Sequence, residues 1–280
     1  MGWSDWIYAN EPVIRLLFSI GIFAAVAVGE FYSPCRKLSV SKGLRWANNM
    51  GLVLLNSFVL YFLFPATAVG AAMLAQQQDW GVLNYYDLPD VPAVVIAVIA
   101  LDFVIYLQHV MVHAIPVLWR LHRVHHADLD YDVTTGLRFH PLEIVLSMLI
   151  KIAAVSLLGP PVVAVVIFEV LLNATAMFNH GNIHLPEKID QVLRLFIVTP
   201  DMHRVHHSVQ APLTNSNFGF NLPWWDRLFG TYVAQPPEGH TAMQIGLEGM
   251  RDPRQVERLP GMLMLPFVRT LGEYTINRRW

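Results

Sequence analysis

The chain has 280 residues, of which 54% are hydrophobic and 14% charged, and its formal net charge is −2. This composition is too apolar for an ordinary soluble domain, and the charge gives no sign of a nucleic-acid-binding surface. The single cysteine, Cys35, excludes an internal disulfide and a thiolate-based metal site.

Five apolar stretches approach the length of about 20 residues that a membrane-spanning helix needs. They are residues 12–29, 46–74, 91–107, 142–158 and 161–177. The second stretch contains Pro65, which predicts a kink or a tilt. The last two are joined by Gly159-Pro160-Pro161 and predict a tight hairpin that dips into or crosses the bilayer. The predicted fold is an all-α, multi-pass membrane bundle.

The basic residues predict the orientation of this bundle. Residues 1–11 and 76–90 contain no Lys or Arg, whereas the connections 30–45 and 114–141 and the chain beyond 180 are rich in them. Basic connections stay on the cytoplasmic side. The pattern therefore predicts an external N-terminus, five crossings and a cytoplasmic C-terminus. The membrane would be a bacterial inner membrane, or the endoplasmic reticulum in a eukaryote.

The pentapeptide HRVHH occurs twice, at residues 122–126 and 203–207. The sequences that flank the two copies share little, so a duplicated domain is not indicated. In a helix, positions i, i+3 and i+4 lie on one face. Each copy is therefore predicted to present three imidazoles on one side of a helix.

Two further histidine pairs, His109/His113 and His180/His184, have the i,i+4 spacing of one helix face. All four clusters lie at or just beyond the predicted cytoplasmic end of an apolar stretch, which brings them to one membrane depth. Ten imidazoles suit two metal ions with four or five ligands each and an open position, although imidazole alone does not choose among Zn, Cu, Fe and Ni. The predicted ligands are His109, His113, His122, His125, His126, His180, His184, His203, His206 and His207.

Metal-bound imidazoles usually donate their other ring N–H to a carboxylate or a carbonyl. The predicted supporting residues are Asp102, Tyr106, Asp201, Asp226 and His140. Two of them have structural alternatives. Asp201 could cap the helix that carries the second HRVHH, and His140 could begin the fourth apolar stretch.

Two charges lie within the predicted hairpin. Lys151 is 11 residues after His140, and Glu169 is 11 residues before His180. Both are therefore about 16 Å from the histidine end on antiparallel arms. An unpaired charge at that depth costs about 3 kcal/mol on insertion scales, so Lys151 and Glu169 are predicted to pair with each other.

The stretch LDFVIYLQHVMVHAIPVLWRLHRVHHADLDYD, followed by FNHGNIH, TPDMHRVHHS and NFGFNLPWWDRLFGTY, resembles the fatty acid hydroxylase / sterol desaturase superfamily over about residues 95–235. The resemblance implies a membrane-embedded site in which the ten histidines hold two Fe ions that use O2 on a lipid C–H bond. No Cys cluster, haem-attachment motif or GxGxxG is present. The electrons are therefore expected from a separate donor: a ferredoxin, cytochrome b5 with its reductase, or a pterin.

The predicted function is an O2-dependent di-iron hydroxylase or desaturase that acts on a membrane lipid such as a sterol, fatty acyl chain, carotenoid or ether lipid. The alternative is a non-catalytic membrane metal-binding or metal-transport protein. Ligands gathered at one membrane face disfavour a transport path, which would place ligands near mid-membrane. Three parts are predicted: N-terminal membrane helices over 1–90, a catalytic domain with a cytoplasmic helical cap over 91–235, and a membrane-associated tail over 236–280.

Overall fold

The computed structural model describes residues 3–64, 67–86, 88–269 and 274–276, and these residues form helices and turns with three isolated β-bridges. The helices are α1 (Trp3–Tyr32), α2 (Lys42–Leu63), α3 (Ala68–Gln77), α4 (Val82–Tyr85), α5 (Asp90–Ala114), α6 (Pro116–His126), α7 (Pro141–Leu158), α8 (Val162–Asn179), α9 (Glu187–Leu193), α10 (Pro200–His206), α11 (Ala211–Thr214), α12 (Trp224–Phe229), α13 (Pro253–Val256) and α14 (Leu259–Met264). Short 3-10 helices cover Thr135–Leu137 and Leu265–Phe267. The predicted all-α class is confirmed.

Five segments are long and apolar enough to cross a membrane, and they match the five predicted stretches. They are Asn10–Tyr32, Lys42–Tyr85, Asp90–Ala114, Pro141–Leu158 and Val162–Asn179. The second is interrupted, because α2 ends at Leu63 and α3 begins at Ala68. Pro65, on which the predicted kink rested, lies outside the described residues.

The predicted hairpin is formed by α7 and α8. Gly159 ends α7 in the left-handed conformation (φ 61°, ψ 50°), which glycine adopts without steric cost. The backbone of Gly81, in the turn before α4, packs so closely on this tip that an added Cβ would lie 2.3 Å from the nitrogen of Gly159. The 18 residues of α7 place this tip about 27 Å from the other end of the helix.

Two hydrophobic cores hold the bundle together. The membrane core packs α3, α5, α7 and α8 through residues such as Leu101, Val155 and Phe168. The second core joins α2, α6 and the C-terminal tail through buried residues that include Leu52 and Trp119. The membrane core crosses the predicted boundary at 90/91, and the second core crosses both this boundary and the one at 235/236, so the three predicted parts share their packing.

Residues 259–267, which belong to the tail predicted to be membrane-associated, have two different sides. Met262 and Leu265 are fully buried in the second core. Met264 and Phe267 are 60% and 62% exposed. One side of the segment is therefore part of the folded core, and only the other side is free to contact lipid.

Buried charges fix the loop between α6 and α7. The Arg45 guanidinium donates to Asp128 at 2.7 and 2.8 Å and also to Asp132, and Arg138 donates to Glu257 at 2.8 Å. Burial alone would raise the pKa of Asp128, but the adjacent Arg45 and Arg138 lower it to about 2. Burial, followed by the negative charge of Asp128, raises the pKa of Glu257 to about 7. Arg45 and Arg138, which contributed to the predicted orientation, are thus fully buried rather than at lipid headgroups.

The predicted charge pair on the hairpin is formed. Lys151 Nζ lies 2.9 Å from Glu169 Oε1. The sequence did not indicate a further partner, Arg15 of α1, whose guanidinium lies 3.0 Å from Glu169 Oε2 and 3.3 Å from Glu11. The Glu169 side chain is only 3% exposed, so its carboxylate depends on these two cations.

Replacing Glu169 by glutamine should lower the melting temperature and the membrane yield of the protein, because it leaves Lys151 and Arg15 without their shared carboxylate. The double change Lys151→Met with Glu169→Leu should recover part of this loss, since Arg15 keeps Glu11 as a partner. Thermal melts of both variants in detergent provide the measurement. A double variant no more stable than Glu169→Gln would contradict the role of the pair.

Candidate metal centre

The predicted helical setting of HRVHH is confirmed for both copies: the first copy ends α6, and the second ends α10 with His207 as the C-cap. The chain leaves α5 at Ile115 because this residue precedes proline and is extended (φ −98°, ψ 117°), and Pro116 then begins α6. The second copy ends α10, which begins at Pro200. Thr199 caps α10, its hydroxyl accepting the Met202 N–H at 3.3 Å.

Nine of the ten predicted histidines are buried together in two groups, and within each group the candidate ligand atoms lie within 4.8 Å of one another. The five-histidine group is His109, His113, His122, His126 and His206. The four-histidine group is His125, His180, His203 and His207. The two groups adjoin, because His125 of one group directly precedes His126 of the other.

Each pentapeptide divides its histidines between the two groups, and the two copies do so in opposite ways. On α6, His122 and His126 belong to the five-histidine group and His125 to the four-histidine group. On α10, His203 and His207 belong to the four-histidine group and His206 to the other. The i,i+4 pair of each copy therefore serves one group and the middle histidine serves the other.

The predicted pair His180/His184 is not formed. Helix α8 ends at Asn179 and His180 is its C-cap, so the i,i+4 rule does not extend to His184. His184 is exposed, and its backbone N–H donates to the Ser33 carbonyl at 2.8 Å. It lies outside both groups, and we exclude it from the candidate ligands.

The ring nitrogens of several histidines are oriented for a metal. Nδ1 hydrogen-bonds at 2.6–3.2 Å to a carboxylate, amide or carbonyl oxygen in five of them, which are His109, His113, His122, His180 and His206. In four of these, all except His180, Nε2 is buried and has no partner among the described residues. The Nε2 atoms of His125 and His203 lie 3.2 and 3.1 Å from that of His180. Since buried polar atoms are normally paired, these converging lone pairs fit metal ions.

The protein environment keeps six of the grouped imidazoles neutral, the state that binds metal. Burial is the main reason that their pKa values lie below the ordinary 6.5, and neighbouring histidines add to the effect. The pKa of His180 falls to about 3. The pKa values of five others fall well below 6.5, which are His125, His126, His203, His206 and His207.

Three of the predicted supporting residues act further from the histidines than predicted. Asp102 accepts from the Trp225 indole N–H at 2.8 Å, and the Tyr106 hydroxyl lies 3.1 Å from that of Thr231. Asp226 accepts the Phe218 N–H at 2.8 Å, and the carbonyl of Phe218 accepts from His109 Nδ1. The carboxylates thus hold residues 218–225, and the backbone carbonyl of Phe218 holds the ring of His109, a candidate ligand.

The other two supporting residues do not bond a histidine of either group. Asp201 accepts from Arg204 Nη1 at 2.6 Å, and because Thr199 is the cap, the capping alternative for Asp201 is wrong. His140 caps α7 instead, since its Nδ1 accepts the Leu142 N–H at 3.2 Å and its Nε2 lies 3.3 Å from the Leu263 carbonyl. Both ring nitrogens of His140 are therefore occupied, which confirms the helix-start alternative.

Sequence reasoning missed the side chains that do contact the histidines. Glu143 Oε1 lies 2.6 Å from His122 Nδ1, and Asn215 Oδ1 lies 3.2 Å from His113 Nδ1. An acid in the first turn of an apolar helix was a signal for Glu143, because a buried carboxylate needs a partner. Asn215 follows the second HRVHH by eight residues and has no comparable signal in the sequence.

A family model described as fatty acid hydroxylase matches residues 94–231. This range contains all nine histidines of the two groups. Residues 94–231 therefore form a fatty acid hydroxylase domain. The matched range also includes residues 218–225, in which the Phe218 carbonyl accepts from His109 Nδ1.

Relatives of this chain are named as monooxygenases and hydroxylases. It is 29% identical to human alkylglycerol monooxygenase over 144 residues, 50% of this chain and 30% of the relative. It is 30% identical to an ornithine lipid hydroxylase of Rhizobium tropici over 157 residues, 56% of this chain and 46% of the relative. A methylsterol monooxygenase of Arabidopsis thaliana is 28% identical over 133 residues, 46% and 48% of the two chains.

The matches span half or less of each relative's length. No solved structure gives a significant match. Together with the five candidate membrane helices, the relatives establish a multi-pass membrane protein of a lipid hydroxylase family.

Proposed function

We propose that this chain is an O2-dependent lipid hydroxylase, or a desaturase, that uses two iron ions held by the nine grouped histidines. Two such ions would supply the activation of O2 for attack on a lipid C–H bond. The observation that carries the proposal is the division of nine buried imidazoles into adjoining groups of five and four. The relatives, which are named as monooxygenases and hydroxylases of lipids, support the same reaction class.

The chain's own residues would hold and shield this centre. The Glu143 carboxylate and the carbonyls of Ala176, Ser216 and Phe218 fix the ring orientation of four histidines. The grouped histidines are at most 3% exposed, so bulk water is kept from the site. Exclusion of water favours attack on the bound lipid over side reactions.

The alternative, a non-catalytic metal-binding or metal-transport protein, fits the site less well. A transporter needs ligands along a path through the membrane. The nine histidines instead form two adjoining buried groups, and nine exceed the four ligands of a structural zinc site.

A separate electron donor completes the proposed reaction. A ferredoxin, cytochrome b5 with its reductase, or a pterin would supply the two electrons that hydroxylation with O2 requires. The proposed partners are therefore a membrane lipid and this donor. We also propose that the metal site and the C-terminus lie on the cytoplasmic side.

Reporter fusions should confirm this orientation. Fusions after residue 40, after residue 130 and at the C-terminus should read cytoplasmic, and a fusion near residue 82 should read external. The structure supports opposite sides of the membrane for the fusions near residue 82 and after residue 130. The turn at Gly81 packs on the tip of the α7–α8 hairpin, whereas residue 130 follows the histidines of α6. An external reading at the C-terminus would overturn the cytoplasmic placement of the site.

Lipid profiling tests the function most directly. Extracts of a wild-type strain and of a deletion strain are compared for lipids that differ by one oxygen atom or by two hydrogen atoms. Complementation with wild-type protein or with His184→Ala should restore the modified lipid, because His184 lies outside both groups. Complementation with His206→Ala should not restore it. Identical lipid profiles of the wild-type and deletion strains would contradict the proposed function.

A further inference from the structure

A cavity of about 280 Å³ lies between α2, α5, α7 and α8 and reaches the five-histidine group. His109 and His122 line one end of it, and Lys151 lines it two helical turns further along α7 from Glu143. Ser57 on α2 also lines the cavity and is exposed, so the cavity reaches the outer surface of the bundle. Its volume is at the small end for ligand pockets, which suits one part of a lipid rather than a whole molecule.

The residues that line this cavity carry buried acceptor oxygens without a partner among the described residues. They are Asn56 Oδ1, Gln108 Oε1 and Glu143 Oε2. Asn56 Nδ2 donates to the Phe139 carbonyl at 2.9 Å, and since a carbonyl only accepts, the amide oxygen is the unpaired atom. Glu143 uses Oε1 for His122, which leaves Oε2.

Buried acceptors that lack a donor are unfavourable, and a ligand that donates hydrogen bonds to them would be retained. A phosphate or carboxylate offers only acceptors and would be repelled by the Glu143 carboxylate. Lys151, the cation of the cavity, already pairs with Glu169. A pure hydrocarbon chain would leave all three oxygens unpaired.

We propose that the cavity binds the hydrogen-bond-donating part of a lipid, a hydroxyl or primary ammonium group, beside the five-histidine group. This inference rests on the proposed function and names its substrate class. The reacting C–H bond would then lie close to the polar end of the lipid, and the apolar chain would leave the cavity beside α2.

A competition experiment on the purified, iron-loaded protein under anaerobic conditions tests this selectivity. One sample contains 1-O-hexadecylglycerol with its dimethyl ether, and a second contains hexadecylammonium with hexadecyltrimethylammonium. Each pair shares its chain, and the second pair also shares its charge, but only one member donates hydrogen bonds. Native mass spectrometry measures the ratio of the bound lipids. The donating member of at least one pair should bind about tenfold better, and which pair shows the preference distinguishes a hydroxyl from an ammonium group.

Variants locate the preference in the cavity. Asn56→Leu removes one acceptor, and Gln108→Met removes another without touching the bond to Phe139; each should reduce the preference several-fold. Asn49→Leu is the matched control. Asn49 lies on the same helix with an unpaired Oδ1, but it contacts Thr134 and does not line the cavity, so the preference should persist.

Equal binding within both pairs would overturn the inference, as would a preference that survives both Asn56→Leu and Gln108→Met. A clear preference in a protein that forms no oxidised lipid would overturn the proposed function but not this binding site. If the protein forms oxidised lipid but shows no preference, this binding site would be wrong and the proposed function would stand.

Discussion

Replacing His206 by alanine should abolish O2-dependent turnover and reduce the iron content after anaerobic reconstitution with Fe(II) from about two ions per chain to about one. His206 belongs to the five-histidine group, and His125→Ala should have the same effect through the four-histidine group. Neither change alters the apolar segments, so both variants should still insert in membranes. Iron is measured by elemental analysis and turnover by the oxidised lipid.

His184→Ala is the matched control, because it removes an imidazole of the same sequence pattern that lies outside both groups. This variant should keep both ions and full activity. Full O2-dependent activity in the His206 variant would refute the assigned centre. Loss of iron in the His184 variant would show that the functional site differs from the two groups described.

The metal-free protein should lose stability steeply as the pH falls below about 6.5. Six histidines of the two groups lie outside the membrane spans and have folded pKa values below the ordinary 6.5, His180 at about 3. Below 6.5 the unfolded chain binds protons that the folded chain does not bind. The stability that depends on neutral histidines is therefore complete above this pH and is lost as the pH falls towards their folded pKa values. In that range each such histidine lowers the free energy of unfolding by up to about 1.4 kcal/mol per pH unit.

Three buried acids modify this dependence without reversing it. Burial raises the pKa of Glu257 to about 7, so its contribution is lost as the pH rises towards 7, opposite in sign to that of the histidines. Burial also raises the pKa of Asp226, so two carboxyl groups oppose six imidazoles, and the net effect remains acid lability. Asp128, with a pKa of about 2, loses its contribution only below its ordinary value of 3.8.

Melting temperatures of the metal-free protein in detergent between about pH 8 and pH 5 provide the measurement. Replacing His180 by asparagine should make the dependence shallower. A melting temperature that stays constant over this range would show that the buried imidazoles are not held neutral.

Local spacing predicted those parts of the site that depend on one helix. The i,i+3 and i,i+4 positions of HRVHH indicated clustered imidazoles, and the apolar stretches before each cluster indicated a common depth. The prediction that His184 is a ligand was wrong because the i,i+4 pattern was extended past the end of α8, although Gly181 and Pro186 were helix-ending signals. Counting the histidines could not show how they divide between groups, since that depends on how α6 and α10 face each other.

Contacts between distant segments were the least predictable. Asp102 was predicted to support a metal-bound imidazole, but its side-chain partner is Trp225 rather than a histidine. Arg45 binds Asp128 and Asp132 across more than 80 residues of sequence, and nothing local specifies this pairing. The Lys151–Glu169 pair could be predicted because the hairpin fixed both residues at one depth and left few other partners.

The opposite division of the two pentapeptides has a consequence for the register of α6 and α10. Because His125 and His126 are consecutive, a rotation of α6 by one residue, about 100°, would turn ligands of both groups away at once. The same holds for His206 and His207 at the end of α10. A substitution can therefore remove one ligand from one group, whereas a single-residue insertion before either helix's histidines would misalign both. The helical repeat, which sets consecutive histidines about 100° apart, therefore directs them to different groups.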